Sequence, residues 1–197
     1  MYIRIKRMLD LLLSAVLLVA LSPVLAALAV VVKLTSPGPV FFRQRRVGLN
    51  KTYFMIYKFR TMRTDAPKDA PTHLLKDASS FITPVGAFLR KSSLDELPQL
   101  INIFKGEMAL VGPRPALWNQ FDLIAERDRY GANGVRPGLT GWAQINGRDE
   151  LPIPVKAAMD GEYVRRMSLG FDALCVFRTF SKVFTASGIV EGEQKKK

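Results

Sequence analysis

The sequence predicts an α+β, mainly helical chain, with a broken apolar helix at its N-terminus, one β-hairpin, and amphipathic helices around a compact domain. Three observations lead there. Leu11 to Val32 is apolar except for Ser14, Ser22 and Pro23. Residues 40–44 and 52–60 are rich in β-branched and aromatic side chains, with Gly48 and Asn50 between them. Apolar residues recur at helical spacing from Leu97 to Phe104 and again from Val155 to Phe184. The 197 residues suffice for one domain plus a membrane element. A lone cysteine, Cys175, excludes an intramolecular disulfide framework and fits a reducing compartment. The formal net charge of +12 points to an anionic partner, whether nucleic acid, membrane surface or phosphorylated substrate.

Residues 1–35 form the first unit. At about 1.5 Å per residue, the apolar run as a helix matches the ~30 Å hydrocarbon core of a bilayer. A signal peptide fits poorly, because the run continues through Val30, Val31 and Val32 beyond the small residues Ala27 and Ala29. Arg4, Lys6 and Arg7 precede the run, and Lys33, Arg43, Arg45, Arg46 and Lys51 follow it, so both ends favour the cytoplasmic side. Pro23 removes a helix hydrogen bond and crowds the Val19 carbonyl, a defect of about 3 kcal/mol in an ordinary helix. The Ser22 hydroxyl is placed to satisfy a freed carbonyl. A helix that bends at Ser22-Pro23 and returns to the same face meets both conditions, although prolines also kink helices that span.

Residues 36–188 form the second unit and 189–197 a polar tail. Ser36-Pro37-Gly38-Pro39 is a rigid exit turn into the hairpin. On its second strand Lys58 and Arg60 fall on one face and Tyr57 and Phe59 on the other. The two cations either guard a strand edge or contact phosphate. Arg63 to Ser80 reads as a loop; His73 within it is the only histidine and has no partner for a zinc site. Thr83-Pro84 reads as an N-cap and first helical position of a short helix that delivers Arg90, with Gly86 weakening it.

The stretch from Arg90 to Pro115 organises the rest. Ser92 or Ser93 is placed to cap a helix carrying Leu97, Leu100, Ile101 and Phe104, with Gly106 at its end. Asp95 and Glu96 then lie in its first turn, and Pro98 costs that turn a hydrogen bond. Two readings compete for these carboxylates. Ser93-x-x-Glu96 is a capping box, in which Glu96 merely reaches back to the Ser93 amide. Alternatively, the pair serves as nucleophile and metal ligand beside phosphate-binding cations, since Arg90, Lys91 and the proline-bracketed Arg114 are near in sequence.

Beyond it, Leu117, Phe121 and Ile124 mark one face of a helix ending before Gly131. Residues 134–148 are dominated by turn formers and contain Arg136, Trp142, Gln144 and Arg148; the loop suits ligand wrapping, and Trp142 serves equally as a structural anchor. Asp149-Glu150-Leu151-Pro152 repeats the tetrapeptide at 95–98 but lacks the serines and the helical run, so it is assigned to a loop. Near the C-terminus Val155, Met159, Tyr163 and Met167 form one stripe, and Ala173, Phe177, Phe180 and Phe184 another. Such stripes are core or, flanked by Lys156, Arg165, Arg166, Arg178 and Lys182, interfacial helices lying in a membrane surface. Cys175 reads as packed rather than reactive.

No G-x-G-x-x-G, Walker-type or D-x-D motif is present. Ser36-Pro37-Gly38-Pro39-Val40, Lys58-Phe59-Arg60-Thr61-Met62, Leu94-Asp95-Glu96-Leu97-Pro98-Gln99-Leu100, Val111-Gly112-Pro113-Arg114-Pro115 and Pro137-Gly138-Leu139-Thr140-Gly141-Trp142-Ala143-Gln144 occur in the order seen in bacterial sugar transferases. The chain resembles the small monotopic polyprenyl-phosphate phosphoglycosyl transferases from its apolar segment to about residue 185. The resemblance implies a broken re-entrant helix and a cytosolic catalytic domain on the cytoplasmic face of the bacterial inner membrane. The implied reaction moves a phosphosugar from a UDP-sugar to polyprenyl (undecaprenyl) phosphate, giving UMP, through an intermediate on Asp95. Mg2+ is expected because oxygen ligands and phosphates suit it, with Asp95 and Glu96 the candidate ligands and Glu96 alternatively holding the acceptor; phosphate or substrate contacts are expected from Lys58, Arg60, Arg90 and Arg114, and nucleotide or sugar contacts from Arg136, Gln144 and Arg148. Membrane lipids are implied as partners and nucleic acid is not. Asp172 either matches a family carboxylate or caps its own helix. The competing class is a non-enzymatic, membrane-anchored basic module that binds anionic lipid or nucleic acid, which would not require the carboxylate pair.

Overall fold

The computed structural model describes residues 1–67, 78–147 and 151–185. His73, Arg148, Asp149-Glu150 and the 189–197 tail lie outside the described residues. The apolar segment folds as α1 (Tyr2–Ala20) and α2 (Ser22–Thr35), bent by 63°. At the break the Ser22 hydroxyl donates to the Val19 carbonyl at 2.8 Å, as expected. Pro23 sits in the first turn of α2, where a missing N–H is least costly. No single helix among the described residues is long and apolar enough to cross a membrane, whereas the bent pair meets length and composition together.

The first helix is amphipathic in reverse. Its buried side chains are Asp10 and Ser14, while Met8, Leu12, Val16 and Val19 are exposed. Asp10 accepts the Leu110 amide at 3.1 Å, and Arg7 donates to the Ile103 and Phe104 carbonyls at 2.7 and 2.9 Å. The polar side of α1 therefore docks on the protein and its apolar side is turned away.

The hairpin is longer on its first strand than expected: β1 (Phe41–Val47) pairs antiparallel with β2 (Tyr53–Phe59), with Gln44 opposite Ile56 and Arg46 opposite Phe54. One face packs Phe54 and Ile56 on Leu100, Ile103 and Met108, and Phe59 packs separately with Val32 and Leu89. After the four-residue α3 (Ala78–Phe81), α4 (Pro84–Lys91) begins as expected, with the Thr83 hydroxyl accepting the Gly86 amide at 2.9 Å. Gly86 lies so close to the Thr61 backbone that a β-carbon would overlap it.

The expected capping box does not form. Ser93 has φ 57° and no capping hydrogen bond, and Asp95 and Glu96 occupy a separate 3-10 turn, Leu94–Glu96. Pro98 interrupts the path, so the α-helix proper is α5 (Gln99–Lys105), ended by Gly106 at φ 84°. Its buried apolar residues are Leu100 and Ile103, and Phe104 is exposed. A second, unforeseen sheet follows, in which β3 (Ala109–Val111) pairs parallel with β4 (Gly138–Thr140).

The remaining helices are α6 (Phe121–Asp128), α7 (Trp142–Ile145), α8 (Ile153–Arg166) and α9 (Leu169–Thr185). In α6 the buried apolar residue is Leu123, and Phe121 is exposed, contrary to the expected stripe. A buried ion pair, Arg127 to Asp160 at 2.6 Å, joins α6 to α8. Tyr163 of the first C-terminal stripe is buried, but Val155 is exposed. On α9 the packed residues are Phe171 and Cys175, whereas Phe177 and Phe180 of the second stripe are exposed and face outward. Burial pushes the Cys175 thiol up to about 11, consistent with a packed role. Asp172 accepts from Tyr2, Lys6 and Tyr163 at 2.7, 2.7 and 2.8 Å and ties α1 to α8 and α9, while the Ser168 hydroxyl takes the capping place on α9 by accepting the Phe171 amide at 3.2 Å.

Candidate active site

Asp95 and Glu96 are each 8% exposed, held where the 3-10 turn meets α4, β2 and the segment after β3. Lys58 reaches in from β2 and donates to Glu96 Oε1 at 2.6 Å; Arg114 donates to the same oxygen at 3.2 Å. Arg90, at the end of α4, donates through Nε to the Thr61 hydroxyl at 2.8 Å and lies within electrostatic range of Asp95. The capping-box alternative fails for a geometric reason: Glu96 is drawn forward to two cations instead of back to Ser93.

Burial dominates the electrostatics. Desolvation pushes the Asp95 carboxyl up, with Lys58 opposing it, Glu96 adding to it, and Arg90 and Arg114 opposing. Desolvation lowers Lys58, Glu96 raises it, and the charges of Arg114 and Arg46 lower it further. Among the described residues, Lys58, Arg90 and Arg114 thus gather round two carboxylates, with Arg46 within electrostatic range of Lys58. A buried carboxylate pair among cations suits a substrate that brings its own negative charge.

Other expected site residues lie elsewhere. Arg60 sits just past the strand and donates to the Pro37 and Ser36 carbonyls and the Ser36 hydroxyl, so it ties the exit turn to β2 and does not join Lys58. Arg136 donates to the Gly106 carbonyl at 2.9 Å, at the far end of α5 from the carboxylates, where Arg7 also caps. Gln144 donates to the Leu139 carbonyl at 2.9 Å. Trp142 takes the anchoring role: its indole donates to Glu162 at 2.8 Å, beneath the guanidinium groups of Arg166 and Arg178. Sequence reasoning missed Arg46 and Thr61 as site residues. A first strand over 40–44 leaves Arg46 outside it, whereas β1 extends to Val47 and puts Arg46 on the same face as Lys58.

Comparison with known proteins agrees with the motif order. The family model described as bacterial sugar transferase matches residues 1–186. The chain is 40% identical over 185 residues to "Uncharacterized sugar transferase EpsL" of Bacillus subtilis, covering 94% of this chain and 90% of that protein. It is 40% identical over 193 residues to the UDP-glucose:undecaprenyl-phosphate glucose-1-phosphate transferase of Escherichia coli, covering 91% of this chain and 40% of that one. It is 39% identical over 193 residues to the UDP-N-acetylgalactosamine-undecaprenyl-phosphate N-acetylgalactosaminephosphotransferase of Aeromonas hydrophila, covering 95% of this chain and 45% of that one. The chain thus spans less than half the length of these two named transferases.

Proposed function

The chain belongs to the bacterial sugar transferase family, and we propose that it is an enzyme that transfers a phosphosugar from a UDP-sugar to polyprenyl phosphate with release of UMP. The observation that carries this reading is the buried Asp95, set beside Glu96 among Lys58, Arg90 and Arg114 from three other segments. Asp95 attacks the β-phosphorus of the donor; the bond from that phosphorus to the bridging oxygen breaks, and UMP departs with the electron pair. An oxygen of the lipid phosphate then attacks the aspartyl-phosphosugar and returns the carboxylate. Dividing the displacement keeps the two polyanions from having to react together in one step.

Burial raises the basicity of Asp95, while Lys58 favours its ionised form. Arg90 and Arg114 hold the phosphates, and Glu96 fixes Lys58 and Arg114. No group of three or more His, Cys, Asp or Glu that could hold a metal occurs among the described residues. Two adjacent carboxylates nevertheless fit Mg2+, which commonly takes one or two carboxylates together with substrate phosphates. Held by Asp95 and Glu96 with the donor, it would supply charge neutralisation on the diphosphate.

The bent α1–α2 pair is read as a re-entrant membrane element, supported by the reversed amphipathicity of α1 and the basic residues at both ends. The outward Phe177 and Phe180 of α9 add an interfacial face. The catalytic domain then lies on the cytoplasmic face of the bacterial inner membrane. The test is to incubate detergent-solubilised protein with Mg2+, undecaprenyl phosphate and a panel of UDP-sugars. UMP release from at least one donor, dependent on the lipid and lost in Asp95→Asn, is expected. UDP in place of UMP means plain glycosyl transfer and overturns the mechanism; silence from folded protein across a broad panel favours a binding module.

A further inference from the structure

We propose that Arg46 is a positioning residue: it braces the segment from Gly112 to Leu117 against β1 and so sets where Arg114 meets Glu96. The inference rests on the reading of Asp95 and Glu96 as the reacting site. Arg46 donates through Nη1 to the Pro115 carbonyl at 2.9 Å and through Nη2 to Gln44 Oε1 at 2.5 Å. Gln44 is itself buried, on the same face of β1. The contact belongs to a short β-bridge between Arg46 and Leu117, beside which the Val47 amide donates to the Ala116 carbonyl at 2.9 Å.

This segment depends on outside donors. Pro113 and Pro115 have no N–H, so the backbone around Arg114 has few donors with which to close a turn of its own. Its carbonyls are satisfied from two sides. The Gly138 amide donates to Pro113 at 2.8 Å from the β4 side, and Arg46 and Val47 donate to Pro115 and Ala116 from the β1 side. Arg114 stands between these two attachments, and its Nη2 meets Glu96 at 3.2 Å. Arg46 reaches its two acceptors from two separate nitrogens held in one plane, and a lysine, with a single donor nitrogen, does not reproduce that spacing.

Arg46→Met and Arg46→Lys, each alone and combined with Arg114→Met, separate the brace from a bulk effect. Amide exchange in the full-length protein is expected to rise in peptides covering 112–117 and to stay unchanged in those covering 153–166. Turnover by Arg46→Met is expected to fall roughly tenfold to a hundredfold, the scale of a misplaced positioning group, with Arg46→Lys in between. In the Arg114→Met background the same change is expected to cost less than about twofold, because the two residues act through one contact. Unchanged exchange overturns the brace whether or not any donor is turned over. Faster exchange with wild-type turnover, or a full additional loss in the Arg114→Met background, overturns the positioning role. Wild-type protein that turns over no donor counts against the proposed function and leaves exchange to judge the brace. If Arg46→Met does not fold, Arg46→Lys carries both readouts.

Discussion

Gly86→Ala sets two effects of known size against each other. In an open helix the change favours folding by about 0.8–1.0 kcal/mol, because alanine loses less backbone entropy. Here the new β-carbon would overlap the Thr61 carbonyl oxygen and lie 2.7 and 2.8 Å from Thr61 C and Cα. All three are backbone atoms, so no side-chain rotation relieves the contact. Overpacking of this kind costs about 1–3 kcal/mol, which outweighs the helix gain and leaves a net loss of up to about 2 kcal/mol. The change also reaches function, because α4 relaxes by moving away from Thr61, and Arg90 on α4 is held by the Thr61 hydroxyl at 2.8 Å. Turnover is therefore expected to fall more than tenfold with only a modest drop in the unfolding midpoint. Gly170→Ala is the control, since nothing lies within 4 Å of its β-carbon position on α9; there, unchanged turnover and unchanged or slightly raised stability are expected. Gly86→Ala protein with wild-type stability and turnover would show that the close packing of α4 on Thr61 does not position Arg90.

Three further outcomes follow from the packing. Arg127→Met strands Asp160, whose side chain is 2% exposed, and is expected to cost about 3–5 kcal/mol by chemical denaturation, with Arg127→Met/Asp160→Leu regaining most of it. Asp172→Asn weakens the tie from Tyr2, Lys6 and Tyr163 and is expected to cost about 1–3 kcal/mol, read as faster amide exchange across residues 2–20. The Arg166 hydrogen bond, followed by that from Trp142, holds the Glu162 carboxyl below the usual range. Its contribution to stability is therefore present above the unfolded-state value and lost as pH falls through the lowered folded-state value. Glu162→Gln is expected to be less stable at neutral pH and to show a flatter acid limb; an unchanged acid limb contradicts the pairing.

Local chemistry was legible in the sequence where a single residue decides the backbone. Pro23 breaks the apolar helix wherever it packs, and Ser22 caps the break. Thr83-Pro84 starts α4 because cap and proline act within one turn. The hairpin followed from strand-forming residues, but its extent did not, since Arg45 and Arg46 have no strong strand preference and pair only because Met55 and Phe54 lie opposite. That one misplacement hid Arg46. Arg60 misled because alternation gives the face of a strand but not the nearest acceptor, here the carbonyls of the exit turn. The sheet of β3 and β4 has strands too short to show a period. The α9 stripe was visible as a stripe, yet its direction depends on what packs against Phe171 and Cys175. Lys58, Arg90 and Arg114 were found as cations, and only the fold could show that they converge.

The covalent step is tested by mixing the protein with a UDP-sugar carrying 32P in its β-phosphate, without lipid acceptor, and mapping the label after an acid quench. Stoichiometric label on the peptide containing Asp95, matched by UMP, absent in Asp95→Asn and discharged by polyprenyl phosphate, is the result expected. Label on another residue, or full turnover of donor and lipid with no labelled protein at any time, would contradict Asp95 as the nucleophile.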